Sequence, residues 1–314
     1  VKSNVLGKPM KEPQDVPFEK EGQYLKSDNR SNISYFLEHN VLLRRFTLSV
    51  GVLVNYNSAL NEGIHFYPGI DASYRIGDNF RLYGSWNRAL RMPTFTDLYY
   101  EGKTNKGNPD LKPEESEAFE VGLKYNTYFL RAHIAGFYRK GKNMIDWVKE
   151  KPEDIWESRN LTKVDNLGFE TNLSLLPREL GNERFFIRKI ELGYAFIHQD
   201  KDSEGYISNY ALDYLKHKFT AQLSHSIWKG FSATWYVRWQ DRAGSYTKYE
   251  NLKPAYEEPY APYCLVDMKV NWEYQRLNLY AELNNLLNST YYDLGNIPQP
   301  GIWFKAGFRY SFKY

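Results

Sequence analysis

Cysteine and histidine are scarce in this sequence of 314 residues. Cys264 is the only cysteine, so the chain can form no intrachain disulfide and no thiolate metal cluster. The six histidines are dispersed without the i, i+4 spacing of a helical metal site, and we predict neither a metal ion nor a cofactor. The sequence also lacks a Gly-x-Ser-x-Gly element, a phosphate-binding loop and a partnered acid and base. We therefore predict that the protein is not an enzyme.

Long hydrophobic runs and a strong net charge are absent as well. No apolar stretch reaches the ~18 residues of a membrane-spanning helix, and the mean hydropathy is -0.65. The net charge of +3 is too small to indicate nucleic-acid binding. A membrane β-barrel is still compatible with these values, because its strands alternate lipid-facing and lumen-facing positions. The 27 Tyr and 8 Trp suit the aromatic girdles of a barrel, and they equally suit a soluble glycan-binding β domain.

The last fourteen residues show the dominant pattern of the sequence. Between Gly301 and Tyr314, one parity is apolar and the other is mostly small, polar or cationic. A strand with two different faces has this period, whereas a helix does not. The run is long enough to cross a bilayer, which takes ~9 to 11 tilted residues. It predicts the closing strand of a transmembrane barrel, with Phe308 on the lipid face and Arg309 on the lumen face.

The same two-residue period recurs along the chain and predicts about thirteen antiparallel strands. Tight turns separate some neighbouring strands, and long connections at about 91–115, 150–164, 200–215, 243–261 and 289–300 separate others. Short turns at one rim and long loops at the other are typical of an outer-membrane barrel and are not expected of a soluble sandwich. The predicted strands are 31–40, 44–57, 64–76, 79–90, 116–126, 128–148, 156–176, 185–199, 216–228, 231–242, 262–274, 276–288 and 301–314.

The odd strand count predicts a partial barrel. Single-chain bacterial barrels have even strand numbers, so we expect the N-terminal strands of a larger barrel to be missing. The absence of a starting Met and of a signal peptide agrees with a processed or truncated chain. Residues 1–30 contain Pro9, Pro13 and Pro17 and little periodicity, and are expected to be a loop or a remnant of the upstream barrel. Residues 31–314 would form the C-terminal strands.

An ordered series of short motifs begins at the end of the fourth predicted strand. An Arg-x-Pro-Thr element is followed by a Gly-Asn-Pro-x-Leu-x-Pro-Glu loop and a Glu-x-Gly strand. This series resembles the barrel of TonB-dependent outer-membrane transporters, and the Gly-Phe-Glu strand at 168–170 and the Asn-Leu element at 285–286 are similar to later parts of that family. The motif residues are Arg91, Pro93, Thr94, Gly107, Asn108, Pro109, Leu111, Pro113, Glu114, Glu120 and Gly122.

The resemblance implies the C-terminal part of a 22-stranded barrel in the bacterial outer membrane, with a plug domain that is absent from this chain. It implies uptake of a scarce small-molecule ligand, driven by the TonB system through the plug, with outer-membrane lipid around the barrel. The stretch from Pro93 to Tyr100 looks most like the cobalamin-transporter branch, with ferric siderophore or haem as the other ligands. The family's assembly signal would correspond to Phe312 and Tyr314. A passive or structural barrel would share the alternation but not the Asn-Pro-x-Leu-x-Pro-Glu element.

Aromatic residues of the long loops are the candidates for ligand capture. Amphipathic rings supply contact area with little loss of entropy, although each ring would also suit an interfacial girdle. The motif residues are instead expected to be structural, since prolines fix φ, Gly107 permits an unusual turn and Glu114 can accept hydrogen bonds. The substrate-binding candidates are Tyr99, Tyr100, Trp156, Tyr246, Tyr249 and Tyr292.

Overall fold

The computed structural model describes residues 2–312 except for 5, 18–21, 59–62, 152, 182–183, 203–204, 209–213, 252 and 296. Phe312 is described and is 77% exposed. Tyr314, the other residue of the predicted assembly signal, lies outside the described residues. Among the described residues, no helix has the length and apolar character needed to span a membrane.

One antiparallel sheet dominates the structure, and its strands follow one another in chain order. Each of its thirteen main strands coincides with a predicted strand, so the prediction of an all-β antiparallel architecture is confirmed. The two edge strands are the first and the last, and the sheet is open between them. The strands are β1 Asn32–Leu42, β2 Phe46–Asn57, β3 Ile64–Ile76, β4 Phe80–Arg91, β5 Glu114–Asn126, β6 Leu130–Lys149, β7 Trp156–Leu175, β8 Ile187–Asp202, β9 Leu215–Ser226, β10 Phe231–Arg242, β11 Tyr263–Tyr274, β12 Leu277–Asn284 and β13 Trp303–Tyr310.

The remaining elements are short. Residues 1–30 contain a separate three-stranded sheet, and their origin as a loop or a remnant of an upstream barrel stays a prediction. One α-helix, α1, spans Phe95–Tyr99, and a 3-10 helix spans Pro177–Leu180. The short strands are Lys2–Ser3, Lys8–Asp15 and Gln23–Ser27 in the separate sheet, Asn105–Lys106 beside β7, Ile207–Ser208 beside β6, and the pairs Ser245–Glu250 with Lys253–Pro259 and Tyr292–Leu294 with Ile297–Pro298.

The outward face of the sheet is apolar and exposed. Leu82, Leu123 and Ile134 lie directly opposite one another on three successive strands. Residues that pair across neighbouring strands point to the same face of the sheet. On the same face, Val121 is 63% exposed and Phe308 is 73% exposed. Contiguous apolar surface of this extent is what a bilayer covers on a transmembrane barrel.

The opposite face is polar, and its aromatic rings lie over glycines of the neighbouring strand. A Cβ atom on Gly122 would lie 2.5 Å from ring atoms of Tyr83, which occupies the space that a side chain would fill. The Tyr83 hydroxyl donates to Glu120 Oε1 at 2.8 Å and lies 2.7 Å from His133 Nε2. The Tyr83 ring thus packs on the glycine of the neighbouring strand, and its hydroxyl is satisfied by hydrogen bonds.

Connections of different length lie at opposite rims of the sheet. One rim carries 43–45, 77–79, 127–129, 176–186, 227–230 and 275–276, and the other carries 58–63, 92–113, 150–155, 203–214, 243–262 and 285–302. The predicted segregation is present in part: the four longest connections, 92–113, 203–214, 243–262 and 285–302, share one rim, but 176–186 at the other rim is longer than 58–63 and 150–155. The connection predicted at 150–164 is shorter, because β6 and β7 are 20 residues each and continue pairing to Val148 and Glu157.

The substitution Phe308→Arg tests the assignment of the two faces. We expect it to block assembly far more than Arg309→Ala does, since a cation on the lipid face costs ~2 to 4 kcal/mol near the bilayer midplane. The measurement is the fraction of protein that is folded in outer membranes, seen as heat-modifiable migration on a gel. Equal losses for the two variants would mean that the faces are assigned the wrong way round.

Single cysteines test which rim is outside the cell. In a background with Cys264→Ser, a cysteine at Ser245 in the 243–262 connection should react with an impermeant maleimide on whole cells. A cysteine at Asp78 in the 77–79 connection should react only after the cells are opened. Labelling of Asp78→Cys and protection of Ser245→Cys on intact cells would invert the topology.

A tyrosine-rich candidate ligand surface at the long-loop rim

An ion pair with a buried carboxylate fixes the start of the longest connection, 92–113. Arg91 and Glu114 lie opposite each other where β4 and β5 end. The Arg91 guanidinium donates to both carboxylate oxygens of Glu114, with Nε to Oε2 at 2.5 Å and Nη2 to Oε1 at 2.6 Å. The backbone N–H of Ile145 donates to Glu114 Oε1 at 2.7 Å, and Glu114 is only 7% exposed. Because the carboxylate joins three strands, it holds both ends of the connection in place.

Helix α1 begins with a capping box. The Thr94 hydroxyl accepts from the backbone N–H of Asp97 at 3.1 Å, and the Asp97 carboxylate accepts from the backbone N–H of Thr94 at 2.9 Å. This reciprocal pair satisfies backbone donors that a helix leaves free at its first turn. Gly107 packs against the end of the helix, where a Cβ would lie 2.8 Å from the Tyr99 backbone nitrogen. A side chain at Gly107 would displace the helix.

The connection then crosses the inner side of the β6–β7 hairpin. Asn160 on β7 makes two hydrogen bonds with the backbone of Lys112, at 2.8 and 2.9 Å. The backbone N–H of Trp156 donates to the carbonyl of Thr104 at 2.9 Å, and Asn105–Lys106 pairs with the start of β7. The connection is therefore attached along its length to strands that do not adjoin it in sequence.

A second connection crosses the other side of the same hairpin. Ile207–Ser208 pairs with β6 at Val148–Lys149, and the Ser208 hydroxyl donates to the carboxylate of Asp146. Asp146 and its neighbour Trp147 point to opposite faces of β6, and Trp147 contacts the ring of Tyr100. Asp146 is 1% exposed as a result. The long-loop end of the hairpin is thus held between two connections.

Three of the predicted binding residues lie on this frame. The Tyr100 ring meets Trp147 edge-on with centroids 6.4 Å apart, and the Lys149 ammonium lies 4.6 Å from the centre of the Trp156 ring. Burial and a hydrogen bond to Asp28 raise the pKa of Tyr99 to about 12, so this phenol is protonated at neutral pH. The Tyr99 hydroxyl is therefore hydrogen-bonded within the protein, whereas Tyr100 and Trp156 lie at the edge of the rim.

The other three predicted residues lie near β10, β11 and β12. Tyr246 contacts Tyr260 with centroids 5.1 Å apart and Tyr292 with centroids 5.7 Å apart. Gly295 packs directly on Tyr246, since a Cβ there would lie 2.4 Å from Tyr246 Cβ. Tyr249 lies near the tip of the 245–259 hairpin and is 56% exposed. The fold therefore brings Tyr246 and Tyr292 together although they are far apart in the sequence.

Polar side chains that were not predicted hold the tyrosine cluster together. The Tyr263 hydroxyl donates to Asp293 Oδ1 at 2.7 Å, and the Arg242 guanidinium donates to the Asp293 carbonyl, also at 2.7 Å. Arg242 also lies 5.2 Å from the centre of the Tyr260 ring. These contacts join the 243–262 and 285–302 connections. Only the high density of tyrosine between 243 and 263 signals the cluster in the sequence, because its partners come from distant segments.

The structure arranges the six candidates in two groups. A ring contact joins Tyr246 to Tyr292, and none among the described residues joins Tyr100 or Trp156 to the tyrosines near β10. The described residues also contain no set of three His, Cys, Asp or Glu side chains placed to hold a metal ion. What the rim offers is aromatic surface with hydroxyl groups, suited to a large amphipathic molecule.

The substitution Glu114→Gln should loosen the 92–113 connection. Hydrogen bonds to a charged group contribute ~1.5 to 3 kcal/mol, so we expect the connection to open at least about tenfold more often. Limited proteolysis of the assembled barrel measures this opening. Glu101→Gln is the matched control in the same connection, because the Glu101 side chain is 73% exposed and its ion pair with Lys26 is long, at 3.7 Å. Equal cleavage of both variants would show that Glu114 does not fix the connection.

Known receptors share this architecture. The vitamin B12 transporter of Vibrio vulnificus (strain YJ016) is 26% identical, and the match covers 54% of this chain and 36% of that protein. The ferrienterobactin receptor of Escherichia coli (strain K12) is 22% identical, with 85% of this chain and 38% of the receptor covered. The chain thus spans little more than a third of these relatives.

A solved structure shows the same fold. The crystal structure of a variant of the ferric enterobactin receptor from Pseudomonas aeruginosa superposes with a TM-score of 0.72 at 19% identity. The match covers 99% of this chain and 48% of that one. A family model described as TonB dependent receptor-like, beta-barrel, matches residues 9–286. The chain therefore belongs to the TonB-dependent receptor family and forms part of its outer-membrane β-barrel.

Proposed function

We propose that the chain is the C-terminal barrel portion of an outer-membrane receptor that takes up a scarce small molecule with energy from the TonB system. The tyrosine cluster around Tyr246 and Tyr292 carries this proposal, because it presents packed aromatic surface at the long-loop rim. The rest of the receptor, a plug through which TonB acts, would be supplied by sequence beyond this chain. Tyr99, Tyr100, Trp156 and Tyr249 would add to the surface that a ligand meets first.

A corrinoid is the ligand that we propose first. Vitamin B12 transporters are among the relatives, and corrinoids are large and amphipathic. Two cations beside the tyrosines are engaged within the protein: Arg242 donates to the Asp293 carbonyl and contacts the Tyr260 ring, and Lys248 pairs with Glu258 at 2.5 Å. The contact with Glu258 raises the pKa of Lys248. Cations that are held by protein groups in this way are less available to a strongly anionic ferric siderophore, so this part of the rim suits an amphipathic ligand better.

A ferric siderophore is the second candidate. It is favoured by the ferrienterobactin and ferripyoverdine receptors among the relatives and by the siderophore receptors of the same fold. Those receptors establish the shared architecture, and the ligand has to be decided by binding.

The double variant Tyr246→Ala/Tyr292→Ala should weaken corrinoid binding by roughly ten- to a hundredfold. Aromatic residues at the centre of a binding surface commonly contribute ~2 kcal/mol or more, and ~1.4 kcal/mol is a tenfold change in Kd. Titration of the detergent-solubilised receptor with cyanocobalamin measures the change. Tyr128→Ala is the control, because Tyr128 lies in the 127–129 connection at the opposite rim and is 69% exposed.

Three outcomes would contradict the proposal in different ways. Tighter binding of a ferric siderophore than of cyanocobalamin would move the ligand to the second candidate. An unchanged Kd in the double variant would remove the tyrosine cluster from the site. Uptake by cells that is linear in ligand concentration and insensitive to loss of TonB would identify a passive barrel.

A further inference from the structure

A cavity of about 680 Å³ lies on the inner face of the sheet, along β1 to β4. Gly51 and Gly69 lie directly opposite each other in its lining. The neighbouring pair, Val50 and Ile70, is exposed on the lipid side, so the two glycines face the lumen. Because a glycine has no side chain, the wall is bare backbone at this row.

The space above Gly69 is open, unlike that above other glycines of the inner face. At three of those glycines, the opposite residue is aromatic, and a Cβ would lie 2.5 Å from an atom of its side chain. The three are Gly122 opposite Tyr83, Gly168 opposite Phe137 and Gly307 opposite Tyr280. A Cβ on Gly69 would instead meet its nearest heavy atom, Asn87 Cβ, at an ordinary 3.5 Å. The wall thus leaves room at Gly69 that rings fill elsewhere.

The cavity extends from the long-loop rim into the barrel. At the rim its lining includes Asn57, the last residue of β2, and Met92, the first residue of the 92–113 connection. At its inner end lie Ser49 and Asp71, which pair one row below the glycines. The stretch of β2 from Ser49 to Asn57 is roughly 27 Å long at ~3.4 Å per residue. The cavity is therefore a groove along the inner wall, called the wall groove below.

Amides and hydroxyls line the part of the wall groove nearest the rim. Asn55 is 7% exposed, and its amide nitrogen donates to Asn32 Oδ1 at 2.9 Å and to Ser34 Oγ at 2.8 Å. The Asn55 Oδ1 atom and the Tyr67 hydroxyl are buried, and neither has a hydrogen-bond partner within the part of the chain that the structure describes. Buried polar atoms are normally satisfied, so these two atoms indicate a ligand group that both donates and accepts hydrogen bonds.

The charges of the wall groove disfavour an anion. Glu38 and Asp71 line its inner part, and both carboxylates only accept hydrogen bonds. The two arginines of the lining are engaged, since Arg30 donates to a backbone carbonyl at 2.8 Å and Arg88 forms an ion pair with Glu117 at 3.2 Å. Like charges placed together cost free energy, so an anionic group would be repelled at the inner end. An uncharged group with N–H or O–H donors suits the whole length.

We propose that the wall groove is the path by which the transported ligand moves from the rim past the plug, and that it favours uncharged groups such as primary amides. This inference rests on the uptake function proposed above. A passage has to bind a ligand well enough to admit it and weakly enough to release it. Uncharged amides and hydroxyls beside bare backbone meet both conditions. The peripheral amides of a corrinoid carry the donors and acceptors that Asn55 and Tyr67 would pair with.

A cysteine at Gly69 tests the path after the receptor has assembled. In the full receptor with Cys264→Ser, Gly69→Cys is treated on cells with a benzyl methanethiosulfonate, and mass spectrometry confirms the adduct. We expect the adduct to fill the wall groove and to lower the rate of cyanocobalamin uptake at least fivefold, and dithiothreitol to restore it. The Kd for cyanocobalamin should change less than twofold, because Tyr246 and Tyr292 at the rim are untouched.

Gly136→Cys is the matched control. Gly136 pairs with Val121 on the lipid-facing side, and a Cβ there would have its nearest heavy atom at 3.9 Å, so the adduct fits and points away from the lumen. The same reagent should leave uptake unchanged in this variant. Unchanged uptake after modification of Gly69→Cys, or an equal loss in Gly136→Cys, would overturn the path. A rise in Kd that matches the loss of uptake would make the wall groove a binding site instead of a path.

Tyr67→Phe tests the preference for uncharged hydrogen-bonding groups. It removes a hydroxyl that bonds to nothing in the described structure and keeps the ring, so we expect normal assembly and at least a twofold slower uptake of cyanocobalamin. Equal uptake by Tyr67→Phe and the unaltered receptor would overturn this preference. Failure of the unaltered receptor to take up cyanocobalamin would overturn the proposed corrinoid function and the path with it, which distinguishes that result from a failure of the path alone.

Discussion

Backbone hydrogen bonding is the constraint from which the rest of this structure follows. Inside a hydrocarbon layer no water is present to satisfy N–H and C=O groups, so each strand must pair with a neighbour along its whole membrane-spanning length. The antiparallel ladder from β1 to β13 meets this requirement within the sheet. Once the register is set, it determines which side chains meet the lipid, because a slip of one residue would turn every side chain to the other face. The apolar face and the row of Gly51 and Gly69 both depend on that register.

The same constraint explains why the strands could be predicted and the site could not. A two-residue period is a local property, and the alternation around Val121 or Phe308 needs no knowledge of the partner strand. Contacts at the rim are not local. The bond between Arg242 and Asp293 joins the end of β10 to the 285–302 connection, and no periodicity relates the two residues. The sequence predicts a longer connection between β6 and β7 than the structure has, for a similar reason. The last pairs of this hairpin are supported by short strands from two other connections, which no local pattern reveals.

The motif residues and the aromatic candidates have different tasks in the rim. Arg91, Glu114 and Asp97 use their polar atoms on the backbone and on one another, which leaves them engaged within the protein. The tyrosines around Tyr246 use their rings on one another, and their polar edges anchor two connections. The side chains of this rim are therefore held by the protein itself. Binding to a preorganised surface loses less conformational entropy than binding to a mobile one.

The placement of the β6–β7 hairpin between two connections has a mechanical consequence. The connection 92–113 contacts Trp147 on one face of β6 through Tyr100. The strand Ile207–Ser208 bonds to Asp146, whose side chain points to the other face. A force that tilts the hairpin towards either side compresses one connection and stretches the other. The three segments are therefore mechanically coupled at the long-loop rim, so the hairpin cannot tilt without moving both connections.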